Sequence, residues 1–404
     1  MTEQLDEADA GRSEKDKSKE VKQMDFKALV ANRHEYAKAW KAKTGGKVVG
    51  WYEPYFPEEV AIAAGVLPVR ILARHVPDDI STKWIYGCCY PVRDVVNQFF
   101  KGIYDYMDGV VFTEGCQWMY NAYEVTAINE FTPFEYYLFM PDHLTATTSK
   151  HVLRSELNAF KDRMEKLSGN KVSDADLDRA IEICNKNRLL MKQISEMRRY
   201  ERPLIHGAEM MHIVLASQLM EKAEMNEILE KFIPELEART PGKDRIRLIL
   251  IGSETWDAEL EELVEELGGD VVIDELDNGS NYYWNNIIPQ KDRLMAIGLR
   301  YLGRPKSAIK DNNWRRRPQH IFELAEDYNV DGALVVKQTY CHTHGTDNYA
   351  VWKILRERYI PYHFMERDNH LPVEDTKLRL ESFMNMLKPG LNHLAGWHKV
   401  YGED

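Results

Sequence analysis

The feature that most restricts the fold of this chain is a strand–cysteine–helix unit that occurs twice. The segment "DGVVFTEGC" (Asp108–Cys116) leads to a helical stretch and then to "EYYLFMPD" (Glu135–Asp142). The segment "DGALVVKQTYC" (Asp331–Cys341) leads in the same way to "PYHFMERD" (Pro361–Asp368). Strands that alternate with helices form parallel sheets with helices on their faces. The repetition therefore predicts two parallel sheets related by a weak internal duplication.

A second pair of segments supports this duplication. "KVVGWY" (Lys47–Tyr52) precedes an acidic helix that starts near Pro57, and "RLILIGS" (Arg247–Ser253) precedes the helical stretch "ELEELVEEL". Long, charged helical stretches dominate between the two halves. The sequence thus predicts an α/β chain with two Rossmann- or flavodoxin-like domains and a helical region. The expected parts are a disordered tail (1–23), an N-terminal helix with the first α/β domain (24–148), a mainly helical region (149–240), and a second α/β domain with a C-terminal helix (241–404).

Composition excludes several classes of protein. The formal net charge of −12 argues against a general nucleic-acid binder, because phosphate contacts need a basic face. No apolar run reaches the roughly 18 residues of a membrane-spanning helix, and the polar N-terminus does not resemble a signal peptide. Five cysteines, an odd number, argue against a disulfide framework. We therefore expect a cytoplasmic protein with reduced cysteines.

Three loops place cysteines where ligands could bind. Cys116 and Cys341 follow matching strands, and open α/β sheets bind ligands at the carboxyl ends of their strands. Cys88 and Cys89 lie in a turn before a third helix, whose dipole stabilises a thiolate. Zinc would need a fourth Cys or His, often in CxxC spacing, and the sequence contains no CxxC. Cysteines from three distant loops suit an iron–sulfur cluster with one open iron better.

Three segments resemble the 2-hydroxyacyl-CoA dehydratase and ATP-dependent (class I) benzoyl-CoA reductase family. They are "KVVGWYEPYFPEEVAIAAGVLPVRI", "CCYPVRDVVNQFFKGIYDYMDGVVFTEGCQWMYN" and "DGALVVKQTYCHTHGTDNYAVWKILRERYIPYHFMERD". The resemblance implies two α/β domains and a helical portion, with a [4Fe-4S] cluster held by three cysteines between the domains. By register these ligands are Cys89, in preference to Cys88, together with Cys116 and Cys341.

The same resemblance implies a reaction and partners. A family enzyme takes low-potential electrons from an ATP-hydrolysing iron–sulfur activator and usually pairs two homologous subunits. An electron added to the thioester carbonyl gives a ketyl-like radical. The segment "EGCQWMYNAYE" is similar to benzoyl-CoA reductase subunits, so we expect a catalytic subunit that reduces an aromatic acyl-CoA. The alternatives are a 2-hydroxyacyl-CoA dehydratase subunit that forms enoyl-CoA and a non-catalytic electron-relay subunit. The sequence lacks GxxxxGK[ST], which leaves ATP binding to a partner.

Three residues beside the cysteines are candidate catalytic groups. His342 and His344 are candidates to polarise a substrate carbonyl or to shuttle a proton. Alternatively, they support the loop or cap the helix that follows. Glu114 is a candidate substrate contact, and a supporting role behind the cysteine is equally compatible with its position.

Three further features have simpler explanations. The basic stretch Asn312–His320 could bind phosphate groups of coenzyme A, but a role at the surface or in contact with another subunit is favoured. The aromatic stretch Asn281–Asn286 could line an acyl pocket, but we expect it to pack a turn. Cys184 lies within a helical pattern, so we expect a plain buried thiol.

Overall fold

The computed structural model describes residues 24–74, 79–310, 316–369 and 371–388. The predicted tail, residues 312–315 of the basic stretch and the end of the chain lie outside the described residues. Within them, the strands are β1 (Lys47–Tyr52), β2 (Val66–Arg70), β3 (Gly109–Thr113), β4 (Glu135–Leu138), β5 (Ile246–Gly252), β6 (Gly269–Glu275), β7 (Gly332–Gln338) and β8 (Tyr362–Arg367). The α-helices are α1 (Phe26–Ala31), α2 (Arg33–Thr44), α3 (Glu58–Ala63), α4 (Tyr90–Phe100), α5 (Gln117–Ile128), α6 (Ser149–Ser168), α7 (Asp174–Glu196), α8 (Gly207–Ser217), α9 (Lys222–Glu237), α10 (Glu259–Glu266), α11 (Ser280–Tyr283), α12 (Arg293–Leu302), α13 (Arg316–Asp327), α14 (His342–Glu357) and α15 (Val373–Leu387).

The strands form two four-stranded sheets, and all pairs are parallel. The first sheet has the order β2-β1-β3-β4 and the second has the order β6-β5-β7-β8. The central pairs also match in register, since Val49 lies opposite Gly109 in the first sheet and Leu248 lies opposite Gly332 in the second. The prediction of an α/β fold with two parallel sheets is confirmed, and the shared strand order supports the internal duplication.

The apolar strands are buried because helices cover the sheets. Every residue of β2, β3 and β6 is buried, as expected for strands of parallel sheets with both faces covered. On one face of the second sheet, Ile249 and Val335 pack against Ile321 of α13 and Val351 of α14. This packing fixes α14, the helix that follows Cys341, against the sheet.

Local sequence signals explain where several helices begin and end. Ser173 accepts a hydrogen bond from the Asp176 backbone N–H and completes a capping box with the Asp176 side chain. Gly45 ends α2 in the left-handed conformation, with φ 67°. The N-terminal helix expected from the sequence is divided at Asn32 into α1 and α2. Asn is a weak helix former and favours helix ends.

Buried polar pairs connect α3 of the first half to helices that lie between the two sheets in the sequence. Glu59 lies 2.7 Å from Arg188 of α7, and Glu58 lies 2.8 Å from Lys222 of α9. The Tyr282 hydroxyl also donates to Glu58 at 2.6 Å. The aromatic stretch therefore packs inside the protein at this point, as expected. None of the helices in the described residues is long and apolar enough to cross a membrane.

Candidate metal centre

Cys89, Cys116 and Cys341 each stand directly before a helix. They are the N-cap residues of α4, α5 and α14, and none of them caps its helix with a side-chain hydrogen bond. Cys116 and Cys341 follow the carboxyl ends of β3 and β7, as the sequence predicted. Cys89, Cys116 and Cys341 take part in no disulfide, so these three sulfurs are available as ligands.

The sulfurs of Cys89 and Cys341 meet across the two halves of the chain. The Cys89 thiol donates to the Cys341 sulfur and lowers the pKa of Cys341 to about 6, helped by donors from Thr343, the His344 backbone and Ser253. The Thr343 hydroxyl lies 3.4 Å from this sulfur. The same hydrogen bond, together with burial, raises the pKa of Cys89 well above its usual value. Of the two hydrogen-bonded thiols, Cys341 is therefore the more acidic.

Cys116 faces the same volume from the first sheet. Burial, with a smaller contribution from the nearby Glu53 side chain, raises the pKa of Cys116 to about 12. The charge of Cys341 also acts on this thiol. Cys88 is fully buried, and Cys184 is buried inside α7, as expected. The structure therefore brings together three thiols from three loops: Cys89, Cys116 and Cys341.

The chemistry of these donors favours a cluster over a single ion. In the described part of the chain, no group of three or more His, Cys, Asp or Glu side chains is arranged to hold one metal ion. Thiolates are soft ligands that bind iron–sulfur clusters, whereas magnesium and calcium require oxygen ligands. Three thiols without a fourth Cys or His also differ from a closed zinc site.

Glu53 is a residue of this site that the sequence analysis missed. It follows β1 with φ 78°, a conformation that is costly for a residue other than glycine. A Cβ atom added to Gly115 would lie 2.7 Å from a carboxyl oxygen of Glu53. The Glu53 carboxyl group therefore lies against the backbone just before Cys116. Burial raises the pKa of Glu53 well above its usual value, with further contributions from Glu254 and Asp277.

Arg70 joins the first half of the chain to the second. Its buried guanidinium group donates to Gln218 at 2.7 Å and lies 2.5 Å from Glu254 in the loop after β5. The same group stacks over the Trp51 ring at 4.8 Å. Arg70 therefore brings a positive charge to the acidic side chains around Glu53. The position of Arg70 at the end of β2 was the only sequence signal for this role.

Glu114 and the two histidines differ in their surroundings. Glu114 accepts from the Met140 N–H at 3.3 Å and lies 3.3 Å from the Lys310 ammonium group. These contacts favour the supporting role for Glu114. His344 is buried, and burial lowers its pKa to about 3, so its ring is neutral near pH 7. His342 is exposed, and its ring lies 6.4 Å from that of Trp118.

Residues 54–387 match the family described as 2-hydroxyglutaryl-CoA dehydratase, D-component. The match covers far more than half of the 404 residues. The chain belongs to this family. All three clustered cysteines lie inside the matched range, and Glu53 directly precedes it.

Curated relatives align with this D-component family member over most of their length. The (R)-phenyllactyl-CoA dehydratase beta subunit of Clostridium sporogenes is 25% identical, covering 90% of this chain and 98% of the relative. A benzoyl-CoA reductase subunit of Thauera aromatica is 22% identical, with coverages of 87% and 94%. The lactoyl-CoA dehydratase beta subunit of Anaerotignum propionicum is 23% identical, with coverages of 90% and 97%. The relatives are thus subunits of acyl-CoA dehydratases and of a reductase.

The raised pKa of Glu53 predicts a pH-dependent effect of Glu53→Gln on stability. A carboxyl group whose pKa is raised by folding destabilises the native state once the pH exceeds its unfolded value, near 4.5. The variant should therefore be more stable than the parent chain at pH 7, by at most about 1.4 kcal/mol per pH unit above that value. The difference should shrink towards pH 5.

Urea unfolding of the anaerobic, iron-free chain at pH 5, 6 and 7 measures this effect. Glu235→Gln, on the exposed side of α9, is the matched control and should leave the free energy of unfolding unchanged. A Glu53→Gln effect of the same size at all three pH values would contradict the assignment of a protonated Glu53.

Proposed function

We propose that this chain is the iron–sulfur subunit of a heteromeric enzyme that acts on an acyl-CoA thioester. The observation that carries the proposal is the meeting of the Cys89, Cys116 and Cys341 thiols between the two parallel sheets. Membership in the D-component family and alignment with dehydratase and reductase subunits support the substrate class.

Of the possible reactions, we favour dehydration of a 2-hydroxyacyl-CoA to an enoyl-CoA. Two of the three relatives described above are beta subunits of such dehydratases, and they align with about nine-tenths of this chain. Reduction of benzoyl-CoA, the reaction preferred from the sequence, is the second candidate. The segment Glu114–Glu124 and the alignment with the benzoyl-CoA reductase of Thauera aromatica support it. A pure electron-relay role is compatible with either complex.

The residues of the site have distinct roles in this proposal. Cys89, Cys116 and Cys341 would hold a [4Fe-4S] cluster, which supplies one-electron chemistry at low potential when bound. Glu53 holds a proton at its buried carboxyl group beside Cys116. The buried Arg70 stabilises negative charge nearby.

The two histidines have different proposed roles: one exchanges protons with solvent and the other supports the loop. His342 is exposed between the two halves and is the candidate to exchange protons with solvent. His344 stays neutral and buried, so its role is to support the loop that carries Cys341. Glu114, held by Lys310, supports the loop before Cys116.

The proposal includes partners that supply what this chain lacks. The sequence carries no P-loop motif, so ATP-driven electron transfer requires a separate iron–sulfur activator. A homologous subunit would complete the enzyme, as the subunit names of the relatives suggest. Cysteines that form no disulfide agree with a reducing compartment such as the cytoplasm.

Iron analysis tests the proposal directly. Anaerobically purified chain should be brown and hold about four irons and four sulfides per chain, the content of one [4Fe-4S] cluster. The measurement combines iron and sulfide assays with a visible absorption spectrum. Chain that stays colourless after anaerobic reconstitution with iron and sulfide would contradict the proposal.

A further inference from the structure

Arg317, in the first turn of α13, is buried between the second sheet and α14. Its side chain is only 4% exposed. Its Nε and Nη2 atoms donate to the two carboxyl oxygens of Glu275 at 3.1 and 2.6 Å. Its remaining nitrogen, Nη1, pairs with the Asp347 carboxylate of α14. One guanidinium group thus joins β6 to α14.

The Glu275 end of this connection is fixed in the sheet. Glu275 is the last residue of β6 and is 1% exposed. It also accepts from the Asn281 side chain at 3.3 Å. A carboxylate that three donors hold from two directions is a rigid point of attachment.

The Asp347 end lies close to Cys341. Asp347 is six positions after Cys341, in the second turn of α14, and its side chain is 15% exposed. The Cys341 carbonyl accepts from the Gly345 N–H at 3.0 Å, and the Cys341 sulfur accepts from the His344 N–H. The position of the first turns of α14 therefore determines the position of the thiol.

The connection before Cys341 is short and includes an unfavourable backbone conformation. Only two residues separate the end of β7 from Cys341, and one of them, Tyr340, has φ 62°. Such a conformation persists only when surrounding contacts hold it. The contact of Arg317 with α14 is one of the contacts that can do so.

We propose that Arg317 is a positioning residue for Cys341, acting through Asp347 at the start of α14. The inference rests on the proposed function, in which Cys341 is a cluster ligand. It assigns Arg317 neither of the roles considered for the basic stretch, since its buried side chain is already occupied by two carboxylates. Arginine suits the role because its planar fork binds one carboxylate at two points while its third nitrogen forms an ion pair with another. Lysine has no such geometry.

Hydrogen–deuterium exchange of the full chain tests the inference, with or without a cluster. Asp347→Asn removes the charge at the α14 end and leaves the Arg317–Glu275 pair intact. In this variant, amides in a peptide covering 342–348 should exchange about tenfold faster, a measure of local opening. Arg317→Lys should also accelerate exchange at 342–348, but less than Asp347→Asn does. Arg317→Met should accelerate it at least as much as Asp347→Asn does. The peptide covering 117–123 at the start of α5 should be unchanged.

Arg316→Met, at the exposed neighbouring position, is the matched control and should leave both peptides as in the parent chain. Iron loss to a chelator is the second readout: Asp347→Asn should lose iron about tenfold faster, at a nearly unchanged melting temperature. Parent-like exchange at 342–348 in Asp347→Asn, or equal acceleration in both peptides, would overturn the inference. Parent chain that binds no iron would contradict the proposed function, while the exchange rates would still decide the role of Arg317.

Discussion

Replacement of Cys116 or Cys341 by Ala should abolish the visible absorption of the anaerobic chain and reduce its iron content from about four atoms towards zero. Cys116 follows a strand of the first sheet and Cys341 follows a strand of the second. Either replacement therefore removes the ligand that one of the two sheets supplies. Cys184→Ala is the matched control, because this cysteine is buried in α7. It should leave the spectrum and the iron content intact.

The doublet before α4 makes the same experiment sharper. Cys89 is the N-cap residue, and its thiol donates to Cys341, so Cys89→Ala should be as damaging as the other two replacements. Cys88→Ala should retain the spectrum. If Cys88→Ala loses the cluster and Cys89→Ala retains it, the first ligand is Cys88 and not Cys89. Full spectra in all three single variants, Cys89, Cys116 and Cys341, would contradict cysteine ligation altogether.

The parts of this protein that the sequence predicts are those that depend on local pattern. Apolar runs between amphipathic helices identified the parallel strands, and the repeated strand–cysteine–helix unit identified matching sheets. The helix start at Ser173 agrees with short-range rules for helix ends. Because both Cys116 and Cys341 follow strands of parallel sheets, their location at ligand-binding strand ends was predictable as well.

The charged residues of the site were not predictable in the same way. Arg70 pairs with a residue 184 positions away, and Arg317 pairs with one 42 positions away. Their burial depends on which carboxylates the fold brings to them, and no local pattern carries that information. Arg317 therefore looked like part of a surface stretch. Glu53 was missed because its left-handed backbone conformation is usually a glycine position.

This chain alone should be inactive on any CoA thioester, whether dithionite or ATP is added. The sequence has no P-loop with which to couple ATP hydrolysis to electron transfer. Under the proposed function, turnover should appear only when a homologous subunit and an ATP-hydrolysing iron–sulfur activator are both present. The assay is anaerobic, with 2-hydroxyacyl-CoA and benzoyl-CoA as separate substrates and mass spectrometry of the products.

The product then distinguishes the two reactions. An enoyl-CoA from the 2-hydroxyacyl-CoA would identify a dehydratase, and a cyclic diene from benzoyl-CoA would identify a reductase. The matched control is the same assembly with Cys341→Ala in this chain, which should be inactive if its cluster takes part in electron transfer. Turnover by the isolated chain without an activator would contradict the proposed division of labour. Full turnover by the assembly with Cys341→Ala would mean that the homologous partner alone carries the electrons to the substrate.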